Sequence, residues 1–159
     1  MVTKVRGAFN DVQGVTHIDP QNWEKSYAKI SIRVESIDTR NSQRDEHLRN
    51  ADFFDAKNYP TIEFISTSID EVDDNQFIAT GELSMRGVTK PISIPLDLTG
   101  IHVDTFGNIR AGLEGGRRIN RKDWGITWNE TLDAGGVMIS EKISLEFELS
   151  LVKNTQLDS

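Results

Sequence analysis

The chain has 159 residues, a formal net charge of −7 and no cysteine; its length fits one domain with a sizeable core, and the lack of cysteine excludes disulfides and cysteine-based zinc sites. The acidic charge disfavours nucleic acids and anionic membrane surfaces as partners. No segment approaches the ~20 apolar residues of a membrane helix, so stable membrane insertion is not expected.

The first predicted element is a half-buried strand between residues 26 and 37. Apolar and polar residues alternate there with a period of two, which places one set of side chains on each face of a strand. The apolar face is formed by Ala28, Ile30, Ile32 and Val34.

A polar segment interrupts the strands from Asn41 to Asn50. It is compatible with one short helix that Asn41 or Ser42 caps. Two adjacent aromatic residues, Phe53 and Phe54, follow at the boundary between this helix and a loop.

Three further segments alternate in the same way, and turn residues separate them. Their apolar faces are Phe77, Ala79, Gly81 and Leu83; Ile92, Ile94, Leu96 and Leu98; and Ile109, Ala111 and Leu113. Short strands at this spacing predict an antiparallel barrel or sandwich.

The stretch from Arg117 to Trp128 brings four basic residues close to two tryptophans. Two interpretations remain open: an aromatic-lined opening by which an amphiphile enters, or a cation–π corner that stiffens one end of a barrel. If the stretch is extended, Trp124 and Trp128 lie on the same side.

The C-terminal run has the clearest alternation. Its apolar set is Val137, Ile139, Ile143, Leu145, Phe147, Leu149 and Leu151. A strand of about fifteen residues at ~3.3 Å each is about 50 Å long, so we expect it to coil around a barrel or bend at a bulge.

Glu141 shares the parity of this apolar set and is therefore expected to point inward. A buried carboxylate needs a cation or several donors, and the candidate partners are Arg117, Arg86 and Arg121. One interpretation of Glu141 is a polar anchor for a ligand in an apolar pocket. The favoured interpretation is that Glu141 is one member of an ion pair that fixes strand register.

The inward faces predict either an ordinary packed core or a cavity for a lipid-like guest, and the pattern does not separate the two. Catalytic motifs are weak, because the three histidines are scattered and no nucleophile elbow, phosphate loop or dinucleotide fingerprint occurs. We expect no catalytic residue, no metal and no cofactor. If the protein is an enzyme instead, Glu141 is the candidate acid or base.

Several blocks together resemble the YceI-like family, known as polyisoprenoid-binding proteins with a lipocalin-like barrel. In chain order, these blocks cover residues 5–9, 47–55, 59–64, 81–91 and 119–125. They include the patterns Leu-Arg-x-x-x-Phe-Phe-Asp and Arg-Gly-Val-Thr-Lys-Pro, which are specific when they occur together.

The resemblance implies an all-β protein, a lipocalin-like antiparallel barrel of about eight strands with one short helix near its open end. It also implies a protein that binds, stores or carries a polyisoprenoid, an isoprenoid quinone or a fatty-acid-like amphiphile in an elongated tunnel. The predicted ligand-binding residues are Ile30, Ile32, Val34, Phe53, Phe54, Phe64, Phe77, Leu83, Leu113, Trp124, Trp128, Glu141, Ile143, Leu145 and Phe147. The alternatives are an enzyme acting on an isoprenoid-type substrate and a partner-binding protein.

Family members usually begin with one further strand; either the true start of this chain lies upstream, or its barrel lacks that strand. A missing strand leaves an unpaired edge that invites pairing, so a homodimer is a further expectation. We expect one domain over residues 1–153 and a flexible tail over residues 154–159. The N-terminus has no apolar signal core, which favours a cytoplasmic location.

Overall fold

The computed structural model describes residues 6–17, 21–128 and 140–152. Within these ranges the chain forms a seven-stranded antiparallel sheet that curls into a half-barrel, a second sheet of two strands and one α-helix. The predicted antiparallel barrel fold with one short helix is confirmed, in the form of a sheet that is open on one side.

The strands are β1 (Ala8–Phe9), β2 (Val12–His17), β3 (Tyr27–Arg33), β4 (Ile37–Asp38), β5 (Thr61–Asp73), β6 (Gln76–Met85), β7 (Val88–Val103), β8 (Ile109–Asn120) and β9 (Lys142–Val152). The helix α1 spans Ser42–Arg49, and short 3-10 helices span Trp23–Lys25, Val34–Ser36 and Arg121–Trp124. The large sheet has the order β2-β3-β5-β6-β7-β8-β9, and β1 pairs with β4. The outer strands of the large sheet, β2 and β9, pair with no further strand in the described part of the chain.

Val34 departs from the predicted strand. The strand β3 ends at Arg33, and Val34 begins a 3-10 helix. The backbone N–H of Val34 donates to the carbonyl of Pro60 at 2.9 Å. The Val34 side chain is buried, as its apolar character predicts, but it reaches the core from this 3-10 turn and not from the strand.

The helix α1 begins where the sequence predicts. The side chain of Asn41 accepts a hydrogen bond from the backbone N–H of Arg44 at 3.1 Å, so Asn41 is the N-cap. Asp45 in the first turn is buried and accepts hydrogen bonds from the backbone N–H and the hydroxyl of Thr39. These bonds lower the pKa of Asp45 and tie the helix to the strand β4 that precedes it.

One end of the half-barrel is closed by the 3-10 helix Arg121–Trp124. Trp124, Ile126 and Arg121 are almost fully buried. The indole N–H of Trp124 donates to the carbonyl of Leu83 at 2.9 Å, which joins this helix to β6. The stretch is therefore not extended, and the parity argument for Trp124 and Trp128 does not apply to it.

The last strand is shorter than the sequence alternation suggests. It begins at Lys142, while Val137, Ile139 and the tail 154–159 lie outside the described residues. Its inner side chains, from Ile143 to Leu149, are only half-buried and pack against the core. They are less covered than those of the central strands because β9 is at the edge of the sheet.

Candidate functional site

An apolar cavity lies inside the curled sheet, between the two outer strands β2 and β9. Its lining residues are Thr16, Ala28, Ile30, Phe64, Ala79, Ile94, Leu96, Leu113, Phe147 and Leu149. Nine of these ten residues are apolar, and Thr16 is the exception. The cavity is narrow. The volume that the centre of a water molecule can occupy is about 20 Å³, so the cavity has room for roughly one water molecule.

Two aromatic rings of this lining lie against glycines on neighbouring strands. A Cβ atom added to Gly81 would lie 2.8 Å from the ring of Phe64, and one added to Gly115 would lie 2.8 Å from the ring of Phe147. Real Cβ atoms do not approach other atoms so closely. The two glycines therefore give both phenylalanine rings space inside the half-barrel.

Four of the predicted ligand-binding residues line this cavity: Ile30, Phe64, Leu113 and Phe147. The other lining residues were not among those predicted. Most of them are signalled by the alternation itself. Ala28, Ala79 and Leu149 share the parity of predicted ligand-binding residues on the same strands, and Ile94 and Leu96 belong to the apolar face predicted for β7. Thr16 has no such signal, because β2 (Val-Gln-Gly-Val-Thr-His) lacks a regular apolar face.

Other predicted wall residues surround the cavity without lining it. Phe77 and Leu83 are buried in the core, whereas Ile32, Ile143 and Leu145 are half-buried and pack against it. Their part in ligand binding stays a prediction.

Four of the predicted aromatic residues, Phe53, Phe54, Trp124 and Trp128, lie at the closed end of the half-barrel and do not line the cavity. The ring of Phe53 contacts those of His47 and Trp128, with centroid distances of 5.0 and 5.2 Å, and His47 and Trp128 are 4.6 Å apart. Phe54 meets Phe9 edge-on at 5.8 Å. The rings of His47, Phe53 and Trp128 thus form an aromatic cluster beside α1.

The prediction that Glu141 points inward is wrong. Glu141 is exposed, and its carboxylate pairs with the ammonium group of Lys122 at 2.6 Å. The hydrogen bond and the charge of Lys122 lower the pKa of Glu141. The parity argument fails because β9 begins at Lys142, so strand alternation does not reach residue 141.

The three arginines that were candidate partners of Glu141 donate hydrogen bonds to backbone carbonyls. Arg117 donates to Ser93 at 2.9 Å. Arg86 donates to Gly125 at 3.0 Å and to Ala51 at 2.6 Å. Arg121 donates to Ser140 and Ile126, and its positive charge also lowers the pKa of Glu141.

One histidine–carboxylate pair lies outside the cavity. The Nε2 atom of His47 is 3.0 Å from Oδ2 of Asp52, at the edge of the aromatic cluster. In the part of the chain that the structure describes, no group of three or more metal-binding side chains comes together. No described helix is long and apolar enough to cross a membrane.

Comparisons with known proteins place these features in a family. The family model of the YceI-like domain matches residues 1–151. A UPF0312 protein of Pseudomonas aeruginosa is 40% identical over 120 residues, which are 76% of this chain and 62% of that protein. A UPF0312 protein of Azotobacter vinelandii is 38% identical over 120 residues, with the same coverage of both chains. The chain thus spans less than two thirds of the length of these relatives.

Solved structures show the same architecture. A Campylobacter jejuni YceI protein superposes with a TM-score of 0.83 and 28% identity, covering 97% of this chain and 88% of that one. The BcnA protein of Burkholderia cenocepacia has a TM-score of 0.79 and 21% identity, covering 91% of this chain and 86% of that one, which shows a shared fold.

Proposed function

We propose that this chain, which belongs to the YceI-like family, binds the apolar part of an amphiphilic ligand inside its half-barrel. The family is one of polyisoprenoid-binding barrel proteins, and the candidate ligands are a polyisoprenoid, an isoprenoid quinone or a fatty-acid-like molecule. The observation that carries the proposal is the cavity between β2 and β9, whose lining is apolar apart from Thr16. An apolar chain gains ~25 cal/mol for each Å² of apolar surface that it removes from water there.

The cavity has to widen to admit such a ligand, because drug-sized guests occupy ~300–1,000 Å³. The open side of the sheet provides the means. Neither β2 nor β9 pairs with another described strand on its outer edge, so these strands separate without breaking a closed ladder of hydrogen bonds. Entry between β2 and β9 also brings the ligand onto the half-buried side chains of Ile143, Leu145 and Phe147.

Binding, rather than catalysis, is the function that the described residues support. The sequence offered one inward acid or base, Glu141, and the structure places it in an exposed ion pair with Lys122. The His47–Asp52 pair lies beside α1, and neither residue lines the cavity.

The proposal is tested by identifying the ligand that the protein binds and by locating its binding site. Native mass spectrometry of protein purified from its own organism, followed by solvent extraction, should release an isoprenoid, a quinone or a fatty amphiphile. Geranylgeraniol and the fluorescent fatty acid cis-parinaric acid then serve as probes. Leu149→Trp places a larger side chain in the cavity and should weaken binding of both probes at least tenfold.

The matched control is Glu148→Trp, which adds the same ring one position away on the outer face of β9 and should bind as the wild type does. If Leu149→Trp binds the probes as tightly as Glu148→Trp does, the ligand does not occupy this cavity. An unliganded protein that takes up neither probe contradicts the binding function itself.

Pairing of the free strand edges with a second copy, and a cytoplasmic location, stay predictions. Analytical ultracentrifugation at high protein concentration tests the first: a monomer throughout the concentration range counts against a homodimer.

A further inference from the structure

The hairpin formed by the end of β7 and the start of β8 carries a group of exposed apolar side chains. Ile101 is 68% exposed, Val103 is 67% exposed, and Phe106 in the turn is 87% exposed. Ile109 on the returning strand is 41% exposed. Such side chains are normally scattered over a protein surface, whereas here they share one short hairpin.

A bulge keeps Ile101, Val103 and Ile109 on the inner face of the sheet. Leu98 pairs with Leu113, but the next pair is Gly100 with Gly112, so Thr99 is an extra residue in β7. Beyond it, Ile101 pairs with Ala111 and Val103 with Ile109. Directly opposed residues point to the same side of a sheet, and Ala111 and Ile109 share the parity of the buried Leu113. The inner apolar lining therefore continues from the cavity residues Leu96 and Leu113 onto the hairpin.

The end of β7 also projects past β6, whereas β9 accompanies β8 as far as the Arg110–Val152 pair. The last pair between β6 and β7 is Gln76 with Asp97, and the backbone N–H of Leu98 donates to Asn75 in the β5–β6 turn at 2.8 Å. Among the described strands, β8 is consequently the one that pairs with the segment from Gly100 to Val103. Its apolar face is open because no described strand lies opposite it.

The charges of the hairpin neutralise each other. Between Thr99 and Gly112, the residues with a formal charge are Asp104 and Arg110, and the segment also contains His102. The Nε atom of Arg110 donates to Asp104 at 2.6 Å, and Asp104 also accepts from the backbone N–H groups of Phe106 and Asn108. The formal charges of Asp104 and Arg110 thus cancel, and this acidic protein presents an apolar tip without formal net charge here.

We propose that this hairpin docks the protein on an electrically neutral phospholipid surface, with Phe106 and Val103 inserted among the lipid headgroups. A small apolar tip fits an interface that deforms around it, whereas a stable protein–protein contact needs ~800 Å² on each partner. The continuity of its apolar face with the cavity then gives an amphiphile a path from the bilayer into the half-barrel. This last step rests on the proposed ligand-binding function, while the docking itself does not.

Vesicle flotation with large unilamellar phosphatidylcholine vesicles tests the docking. The wild type should float with the vesicles, and the Val103→Ser/Phe106→Ser double variant should lose at least about fivefold in bound fraction, because apolar area drives interfacial binding. Both changes are at exposed positions and should leave the fold intact, which circular dichroism checks. Ile65→Ser is the matched control: Ile65 is 47% exposed on the outer face of β5, and this variant should float like the wild type.

Three outcomes overturn the docking proposal: no flotation of the wild type, equal flotation of the double variant, or a dimer in solution that the double variant dissociates. The binding of cis-parinaric acid in vesicle-free buffer separates this proposal from the proposed function. The double variant should bind that probe as the wild type does. If no protein binds the probe but the flotation difference holds, the docking stands and the ligand-binding function fails.

Discussion

Arg121 joins several segments through one buried guanidinium group. Its Nε atom donates to the carbonyl of Ser140 at 2.9 Å, and its Nη1 atom donates to that of Ile126 at 2.7 Å. Burial lowers the pKa of the Arg121 side chain, and the neighbouring charge of Glu141 opposes this effect. A buried cation held by carbonyls fixes the closed end of the half-barrel in one geometry.

We expect Arg121→Met to lower the free energy of unfolding by about 2–4 kcal/mol, because it leaves the buried carbonyl of Ile126 without its donor. Urea denaturation measures the change. Arg117→Met is the control: Arg117 is exposed and makes one bond, to the carbonyl of Ser93, so its loss should stay below about 1 kcal/mol. Equal losses in both variants would show that burial of Arg121 adds nothing.

Asp104 makes the stability of the β7–β8 turn depend on pH. Its hydrogen bond with Arg110, followed by that with the backbone N–H of Asn108, lowers the pKa of Asp104 from 3.8 to about 2. The folded-state pKa lies below the unfolded one, so these bonds stabilise the folded protein above the unfolded value and are lost as the pH falls towards 2.

We therefore expect Asp104→Asn to have a lower Tm than the wild type near neutral pH, and the gap between the two to shrink as the pH falls from about 5 to about 2. Thermal unfolding followed by circular dichroism at several pH values measures the gap. A gap that stays constant over this range would mean that the charge of Asp104 is not the stabilising feature.

Among the elements, the β7–β8–β9 part of the sheet packs tightly at Gly115. A Cβ atom added there would lie 2.7 Å from both the carbonyl oxygen of Pro95 and the Cδ2 atom of Leu96. We expect Gly115→Ala to lower the free energy of unfolding by about 1–3 kcal/mol, because the added atom forces strands or side chains apart. Urea denaturation measures the loss.

Gly100→Ala serves as the comparison for that prediction. No heavy atom lies within 4 Å of a Cβ added at Gly100, and its change should be within about 0.5 kcal/mol. If both alanine variants lose the same stability, backbone flexibility rather than close packing explains the role of Gly115.

Period-two alternation predicted the strands well and the ends of the strands poorly. The faces of β3, β6, β7 and β8 follow the sequence, because a strand with one buried face has no other register. Val34 and Glu141 lie just past a strand end, where the backbone turns and parity no longer determines direction. The position of a strand end depends on hydrogen bonds with distant segments, such as that of Val34 with Pro60, which one segment's pattern does not contain.

The candidate site was predicted in part for the same reason. Parity identified Ile30, Leu113 and Phe147 as inward residues, Phe64 was predicted with the family resemblance, and all four line the cavity. Parity does not say how far along the barrel a residue lies. The predicted aromatic residues Phe53 and Trp128 consequently turned out to pack at the closed end, beside α1, and not around the cavity.

At the scale of the whole molecule, the half-barrel has a central part and two open edges. The central strands β5, β6 and β7 have a partner on each side, whereas β2 and β9 each have one described partner. Local opening is easiest where backbone hydrogen bonds and packing are fewest.

We expect amide hydrogen exchange to be faster in β2 and β9 than in β6, and to slow in β2 and β9 when a ligand binds between them. Exchange monitored by mass spectrometry, with and without geranylgeraniol, measures both effects. Ligand protection confined to α1 and the aromatic cluster would contradict entry through the open side.

The bulge at Thr99 makes the orientation of a whole hairpin depend on a single residue. Its side chain lies over Gly112, where a Cβ atom would come within 2.3 Å of the Thr99 hydroxyl oxygen. Inserting one residue in β8 between Gly112 and Leu113 would give Thr99 a partner and restore an unbroken ladder. It would also turn Ile101 and Val103 to the opposite face, since side chains alternate with a period of two. A one-codon insertion would thus invert the sidedness of this projection while leaving its composition almost unchanged, and the gain or loss of that codon is a short mutational route between two kinds of surface on one fold.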